Sequence, residues 1–186
     1  MLSFMGRKAF VRERILNAAF DLIAKRGYEA VSTRDIATAA EVGPASMFKH
    51  FPTKEHLGRE LYRVALAPLL LAFAELDALN PNPARAVSHS VELLYGLYDE
   101  RPRALALLVF PPHDFQPWEI DRGNAASIRV ILQRLTHLDD DGAAIVWGAI
   151  TGPILDRFLR RREGAMRPLA ATHALRLITL LPSESP

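Results

Sequence analysis

Residues 32–57 read STRDIATAAEVGPASMFKHFPTKEHL, and this stretch decides the fold. Ser32 and Asp35 have the spacing of a capping box that starts a helix, and Ile36, Ala37 and Ala40 give that helix a narrow apolar face. The helix is short, because Glu41-Val42-Gly43 breaks its pattern. Pro44 then suits the first position of a third helix, where its missing N–H would have no partner in any case. This helix spans residues 44–50 and ends near Phe51-Pro52, and Thr53 can cap a fourth that begins at Lys54. Short helices joined by a tight turn form a helix-turn-helix, whose second member must be slim enough to enter a major groove about 12 Å wide. With Met47 and Phe51 turned inward, Pro44, Ala45, Ser46, Lys49 and His50 face outward.

Working outward from this core, Val11, Ile15, Leu16, Ala19, Leu22 and Ile23 repeat at helical spacing. They predict a first helix over 8–26, stopped by Gly27 after Lys25-Arg26. The fourth helix continues from Lys54 past Pro68, where a kink or break near Leu66 is expected. A turn follows in NPNP at 80–83, and helical patterns recur at 84–100, 102–110, 117–136, 140–163 and 167–181. PPHDFQP at 111–117 is the most irregular interior loop. The sequence shows no useful run of strand-like alternation, no internal repeat and no low-complexity tract. The expected fold class is all-α, about nine helices in total, with an N-terminal three-helix helix-turn-helix domain at 1–53 and a helical domain at 54–186.

Composition narrows the function classes. Of 186 residues, 49% are hydrophobic and 24% charged, an ordinary globular balance rather than a disordered one. No cysteine is present, which removes disulfides, thiolate catalysis and Cys-ligated zinc and fits a cytoplasmic setting. The first residues do not read as a secretory signal. The longest apolar run, VALAPLLLAFA at 64–74, is half the roughly 20 residues a membrane span needs. Net charge is +2, but residues 1–63 hold 11 Lys or Arg against 7 acids, while the remainder has 12 Arg against 14 acids. The whole positive excess therefore lies in the first third, as a module meeting a polyanion requires.

GYEAVSTRDIATAAEVGPASMFKHFPTKEHLGREL, at 27–61, resembles the DNA-binding signature of the TetR family of bacterial transcriptional repressors. The resemblance covers residues 10–62; the rest of the chain matches only in helical character and length. It implies that Thr33 and Arg34 touch backbone and groove edge, that Pro44, Ala45, Ser46, Lys49 and His50 occupy the recognition helix, and that Lys54 meets a phosphate at the start of the fourth helix. Phe48 stands where the family usually has a tyrosine whose hydroxyl meets a phosphate. Glu41 occupies a turn position where the family often has glycine, and Gly43 replaces its usual hydroxyl-bearing cap. Pro44 and Ala45 offer apolar contact suited to thymine methyls, whereas Lys49 is suited to guanine.

The same resemblance implies a homodimer on an inverted-repeat operator in double-stranded DNA, and a small-molecule effector among the middle helices whose binding moves the fourth helix. AAIVWGAITGPIL at 143–155 is apolar almost all round, and with the last helix it supplies the expected dimer residues Ile145, Ala149, Gly152, Ile154, Leu175 and Ile178. Burial inside one chain would produce the same pattern. Leu70, Phe73, Tyr95, Tyr98, Phe110, His113, Phe115, Trp118 and Trp147 are the candidate effector-pocket residues, and their aromaticity points to a hydrophobic compound. Plain core packing is the competing reading for each of them.

No cofactor or metal is expected. The six histidines show no H-E-x-x-H spacing, and no G-x-S-x-G, P-loop or dinucleotide fingerprint is present, so an enzyme is not expected; His113-Asp114 is the one adjacent acid–base pairing. A competing reading is a protein-interaction module that keeps this fold without operator binding, which Phe48, Glu41 and the modest basic excess would support.

Overall fold

The computed structural model describes residues 2–110, 120 and 127–179. Within them the chain is all-α: α1 (Leu2–Arg26), α2 (Thr33–Ala39), α3 (Pro44–His50), α4 (Lys54–Ala78), α5 (Pro83–Glu100), α6 (Pro102–Val109), α7 (Ile128–Thr136), α8 (Asp140–Arg160) and α9 (Ala170–Ile178). A 3-10 turn at Arg167–Leu169 leads into α9. The chain divides into two units, one of Met1–Leu66 with Ala106–Ile120 and the other of Ala67–Leu105 with Asp121–Pro186. The division falls inside α4, beyond the residue 53/54 boundary that motif order suggests.

Several helix ends follow from local chemistry. Gly27, at φ 80°, takes the left-handed conformation that stops α1, and its N–H donates to Ile23 O at 2.8 Å. The α1 helix starts six residues earlier than its apolar repeat predicts; residues 2–7 contain no proline and only one glycine, so nothing there opposes helix. Ser127 is extended and accepts from Val130 N at 3.2 Å, which starts α7 at Ile128, within the stretch 117–136 expected as one helix; the expected start near 117 lies outside the described residues, which omit 111–119 and 121–126. Arg161 at φ 49° ends α8, with Arg162 N donating back to Arg157 O at 3.0 Å.

Pro68 does not break α4, which runs through it as a single helix. The missing N–H removes one backbone bond from the turn before it, a cost a long packed helix absorbs. Pro153 sits within α8 in the same way.

The first unit closes around Ile15, Leu16, Ile36, Met47, Phe51, Leu57 and Leu61, each at most 6% exposed. These are the inward positions of α1 to α4, so the helix-turn-helix rests on one apolar centre. Arg12 adds an ion pair to Glu60, and its guanidinium lies 5.6 Å from the Phe51 ring centroid.

In the second unit α5 packs against α7, α8 and α9. Val87, Val91, Leu94, Ile131, Leu132, Ile150 and Ile154 form its centre. Polar clasps fix the ends: Asp99 accepts from Met166 N at 2.7 Å and Arg167 N at 2.9 Å, Arg134 pairs with Asp77 at 2.5 Å, and the Tyr95 hydroxyl shares a 2.6 Å hydrogen bond with His173 Nδ1. Burial pushes the Tyr95 hydroxyl up to about 12. Burial, reinforced by Arg176 and Arg157, holds His173 below the usual imidazole value.

Candidate nucleic-acid interface

The expected capping box at the start of α2 is formed. Ser32 Oγ accepts from Asp35 N at 3.1 Å, and Asp35 Oδ2 accepts from Ser32 N at 2.9 Å. The side-chain and backbone hydrogen bonds from Ser32, aided by Arg26 and Arg34, hold the Asp35 carboxyl below the usual range. This fixes Thr33, half-buried, and Arg34, exposed, in the first turn of α2.

Gly43 is extended and Pro44 opens α3 at its first position, as the sequence requires. Met47 is 1% exposed and Phe51 accepts the end of the helix, its N–H donating to Met47 O at 2.9 Å. With that face committed to the core, Pro44, Ala45, Phe48 and Lys49 are exposed and Ser46 and His50 half-buried. The Phe48 ring is 52% exposed, an apolar side chain presented to solvent on the outer face of a short helix. Lys49 and His50 stand in the last turn of α3, where positive charge is favoured.

Thr53 caps α4, accepting from His56 N at 3.0 Å. Lys54 is less free than its sequence position suggests. Its ammonium sits 4.4 Å from the centre of the Tyr28 ring, donates to Glu29 O at 3.3 Å and lies 4.0 Å from the Glu29 carboxylate. Tyr28 in turn donates to Lys54 O at 2.9 Å. The lysine is thus held beside the α4 N-terminus by the loop between α1 and α2.

Sequence reasoning misses Arg14. Its guanidinium bonds the carbonyl oxygens of Ala40 and Glu41, the latter at 3.1 Å, and pairs with the Glu41 carboxylate at 3.3 Å. Glu41 itself has φ 53°, the left-handed region, which costs a non-glycine residue roughly 1–2 kcal/mol. A glutamate where glycine is favoured is the available signal, but no local spacing ties residue 14 to residue 41.

The described aromatic candidates of the second unit pack in separate pairs. Phe73 and Tyr95 are fully buried, Phe73 meeting Trp147 edge-on at 6.4 Å and Tyr95 meeting His173 at 5.5 Å. Tyr98 lies against Phe158 at 5.2 Å and Leu70 is half-buried, while Phe110, in the first unit, is 41% exposed. His113, Phe115 and Trp118 lie outside the described residues. A cleft of about 280 Å³ does exist between α4 and α5, but Leu69, Leu93, Gly96, Leu97, Glu100 and Arg167 line it with their neighbours, and none of the aromatic candidates does.

The expected dimer residues divide by helix face. Ile145 is 71% and Leu175 65% exposed, and Ala149, Gly152 and Ile178 are half-buried. Gly148 and Gly152 have open space where a side chain would stand. Ile154 corrects the expectation: it is fully buried in its own chain, because nine residues at about 100° each turn it to the side of α8 opposite Ile145. Among the described residues no helix is long and apolar enough to cross a membrane, and no group of His, Asp and Glu has the makings of a metal site.

A capped α2, a tight turn and a short α3 with a solvent-facing outer side define a helix-turn-helix protein. Residues 15–61 match the family model of bacterial regulatory proteins, tetR family. The transcriptional repressor KstR of Rhodococcus jostii is 36% identical over 72 residues, a match covering 39% of this chain and 31% of that protein. The chain thus aligns with about a third of that curated relative's length. Two solved structures share the fold over nearly all of it. The fatty acid degradation regulator FadR from Bacillus halodurans gives a TM-score of 0.74 at 14% identity, covering 91% of this chain and 99% of that one. FadR from Bacillus subtilis in complex with stearoyl-CoA gives 0.69 at 16% identity, covering 90% and 97%. Residues 15–61 thus match the TetR family of transcriptional regulators, and the rest of the chain shares the fold of the two FadR structures. The relatives it matches are named as regulators, not enzymes.

Proposed function

We propose that this chain is a homodimeric, sequence-specific DNA-binding regulator, a repressor that leaves an inverted-repeat operator when a small hydrophobic effector binds. The observation that carries the reading is α3, whose inner side is anchored by Met47 while Pro44, Ala45, Phe48 and Lys49 stand exposed. In this reading Lys49 seeks guanine, Pro44 and Ala45 favour thymine methyls, and Ser46 and His50 support them. Thr33, Arg34 and Lys54 meet phosphates, the last beside the free N–H groups of α4. The DNA-binding domain is residues 1–53, and 54–186 carries effector binding and dimerisation.

The exposed side of α8, with Ile145 and the two open glycines, together with Leu175 and Ile178 on α9, is the surface for a second copy. Gly148 and Gly152 permit close helix approach there. For the effector, the Bacillus subtilis protein of the same fold holds stearoyl-CoA, which supports a long apolar ligand as the first compound to try. Repressor action follows the names of relatives such as KstR. The setting is the cytoplasm, where the DNA is.

Titrating the protein onto its preferred duplex and onto bulk DNA over a range of salt tests this. Operator binding predicts a steep fall with salt and a preference of about 10³-fold or more for one sequence. A folded protein with no preferred sequence contradicts the proposal and supports the interaction module.

A further inference from the structure

We propose that Arg14 is the positioning residue of the recognition helix: it locks the turn between α2 and α3 and so sets the angle at which α3 is presented. This rests on the DNA-reading function proposed above and names a residue outside the helix-turn-helix that the reading depends on.

The α2 helix ends at Ala40, which caps it. Backbone bonds satisfy three carbonyls near this end, with Ala40 N donating to Ile36 O, Glu41 N to Thr38 O and Val42 N to Ala37 O. The carbonyls of Ala40 and Glu41 come next, and both are taken by Arg14 from α1. One guanidinium nitrogen, Nη2, meets both carbonyls and the carboxylate, and the charge of the group stands at the negative end of α2. The Phe10 ring, 6.0 Å from the guanidinium carbon, flanks the arginine on its own helix.

What makes the clamp necessary is Glu41. A glutamate in the left-handed region tends to relax toward ordinary backbone angles, and such a change three residues before Pro44 would swing α3. Arg14 opposes it twice, by holding the Glu41 carbonyl and by pairing with its carboxylate, a side chain that stays 86% exposed in the pair. Glycine at this position would need neither contact.

The test compares wild type, Arg14→Ala, Arg14→Lys, Glu41→Gly and the Arg14→Ala/Glu41→Gly pair in the full chain. Each is measured for affinity to the selected operator, for affinity to bulk DNA, and for amide hydrogen exchange at residues 40–47. Arg14→Ala is expected to weaken operator binding by about tenfold or more, to change bulk binding far less, and to speed exchange in the turn and α3. Arg14→Lys keeps the charge, but its side chain is one bond shorter than the path to Nη2, so it recovers only part of this. In the Glu41→Gly background the loss from Arg14→Ala shrinks several-fold, because the strained residue is gone.

Equal losses in both backgrounds, or unchanged exchange in Arg14→Ala, would overturn the proposal. If wild type itself prefers no sequence, the DNA-reading function fails, and exchange still decides Arg14: faster exchange at 40–47 that Glu41→Gly suppresses upholds the clamp, and unchanged exchange removes it.

Discussion

The segment from Ser32 to Leu57 and the bundle of α5 to α9 are both built from helices, but they are held by different kinds of contact. In the first, Ser32 bonds Asp35, Phe51 bonds Met47 and Thr53 bonds His56, all within four residues of chain. In the second, Arg134 reaches Asp77 across 57 residues, Met166 reaches Asp99 across 67, and His173 reaches Tyr95 across 78. The short-range set shapes the helix ends of the reading head, and Arg14, Tyr28 and Glu29 tie it to the chain before it. The long-range set makes a bundle whose helices depend on distant partners.

Substitutions on α8 break the comparison most sharply. Ile145 is exposed in the single chain, so Ile145→Asp is expected to leave each chain folded while placing a charge in the proposed dimer surface. Loss of the dimer removes the second half-site and should weaken operator binding about 100-fold or more, read by sedimentation and titration on the same sample. A dimer that survives with full affinity would move the interface elsewhere. Ile154→Ala, on the buried side of the same helix, is expected to cost about 2–5 kcal/mol of stability. Chemical denaturation distinguishes the two faces.

A smaller effect separates the regions by pH. His173 stays neutral in the fold below its ordinary value of 6.5, so the unfolded chain takes up the proton first. Stability is therefore complete above 6.5 and lost as pH falls below it. Tyr95 resists ionising from 10 up to about 12, so stability is complete below 10 and lost as pH rises above it. In the first unit the Asp35 carboxyl, held below 3.8, makes its loss only in stronger acid. Urea midpoints across pH check the assignment: His173→Gln should flatten the acid arm of the second unit and Tyr95→Phe the alkaline arm. A variant with both arms intact would sever the link to this pair.

Legibility follows the same division. The capping box, Pro44 at the start of α3, the inward Met47 and Phe51 and the Thr53 cap are all readable, because each depends on neighbours in sequence. Arg14 is not, since only the folded turn brings it to Ala40 and Glu41. Of the kink or break expected near Leu66, the break does not occur, because the burial of Leu61, Leu66, Leu69 and Phe73 on α4 outweighs one lost backbone bond at Pro68. Ile154 is misread because an almost wholly apolar helix gives no contrast between its faces, and burial alone reveals which side is inward. For the aromatic residues, composition indicates a pocket while the described pairs, Phe73 with Trp147 and Tyr98 with Phe158, are spread through the bundle.

The smallest effect concerns the exposed Phe48 ring. Phe48→Tyr adds a hydroxyl on the outer face of α3, and a regained phosphate hydrogen bond should strengthen binding by about 0.5–1.5 kcal/mol per half-site. The gain should be equal on operator and bulk DNA, because a phosphate contact carries no sequence information. An increase confined to one sequence would instead assign position 48 to base reading.

The central claim is tested most directly by selecting bound sequences from a random duplex library with wild type and Lys49→Ala in parallel. The account predicts an inverted repeat from wild type, with preference relaxed by about 1–3 kcal/mol at one position of each half-site in the variant. Identical selections from the two proteins would contradict the role of Lys49, and no enrichment from a folded wild type would contradict operator binding itself.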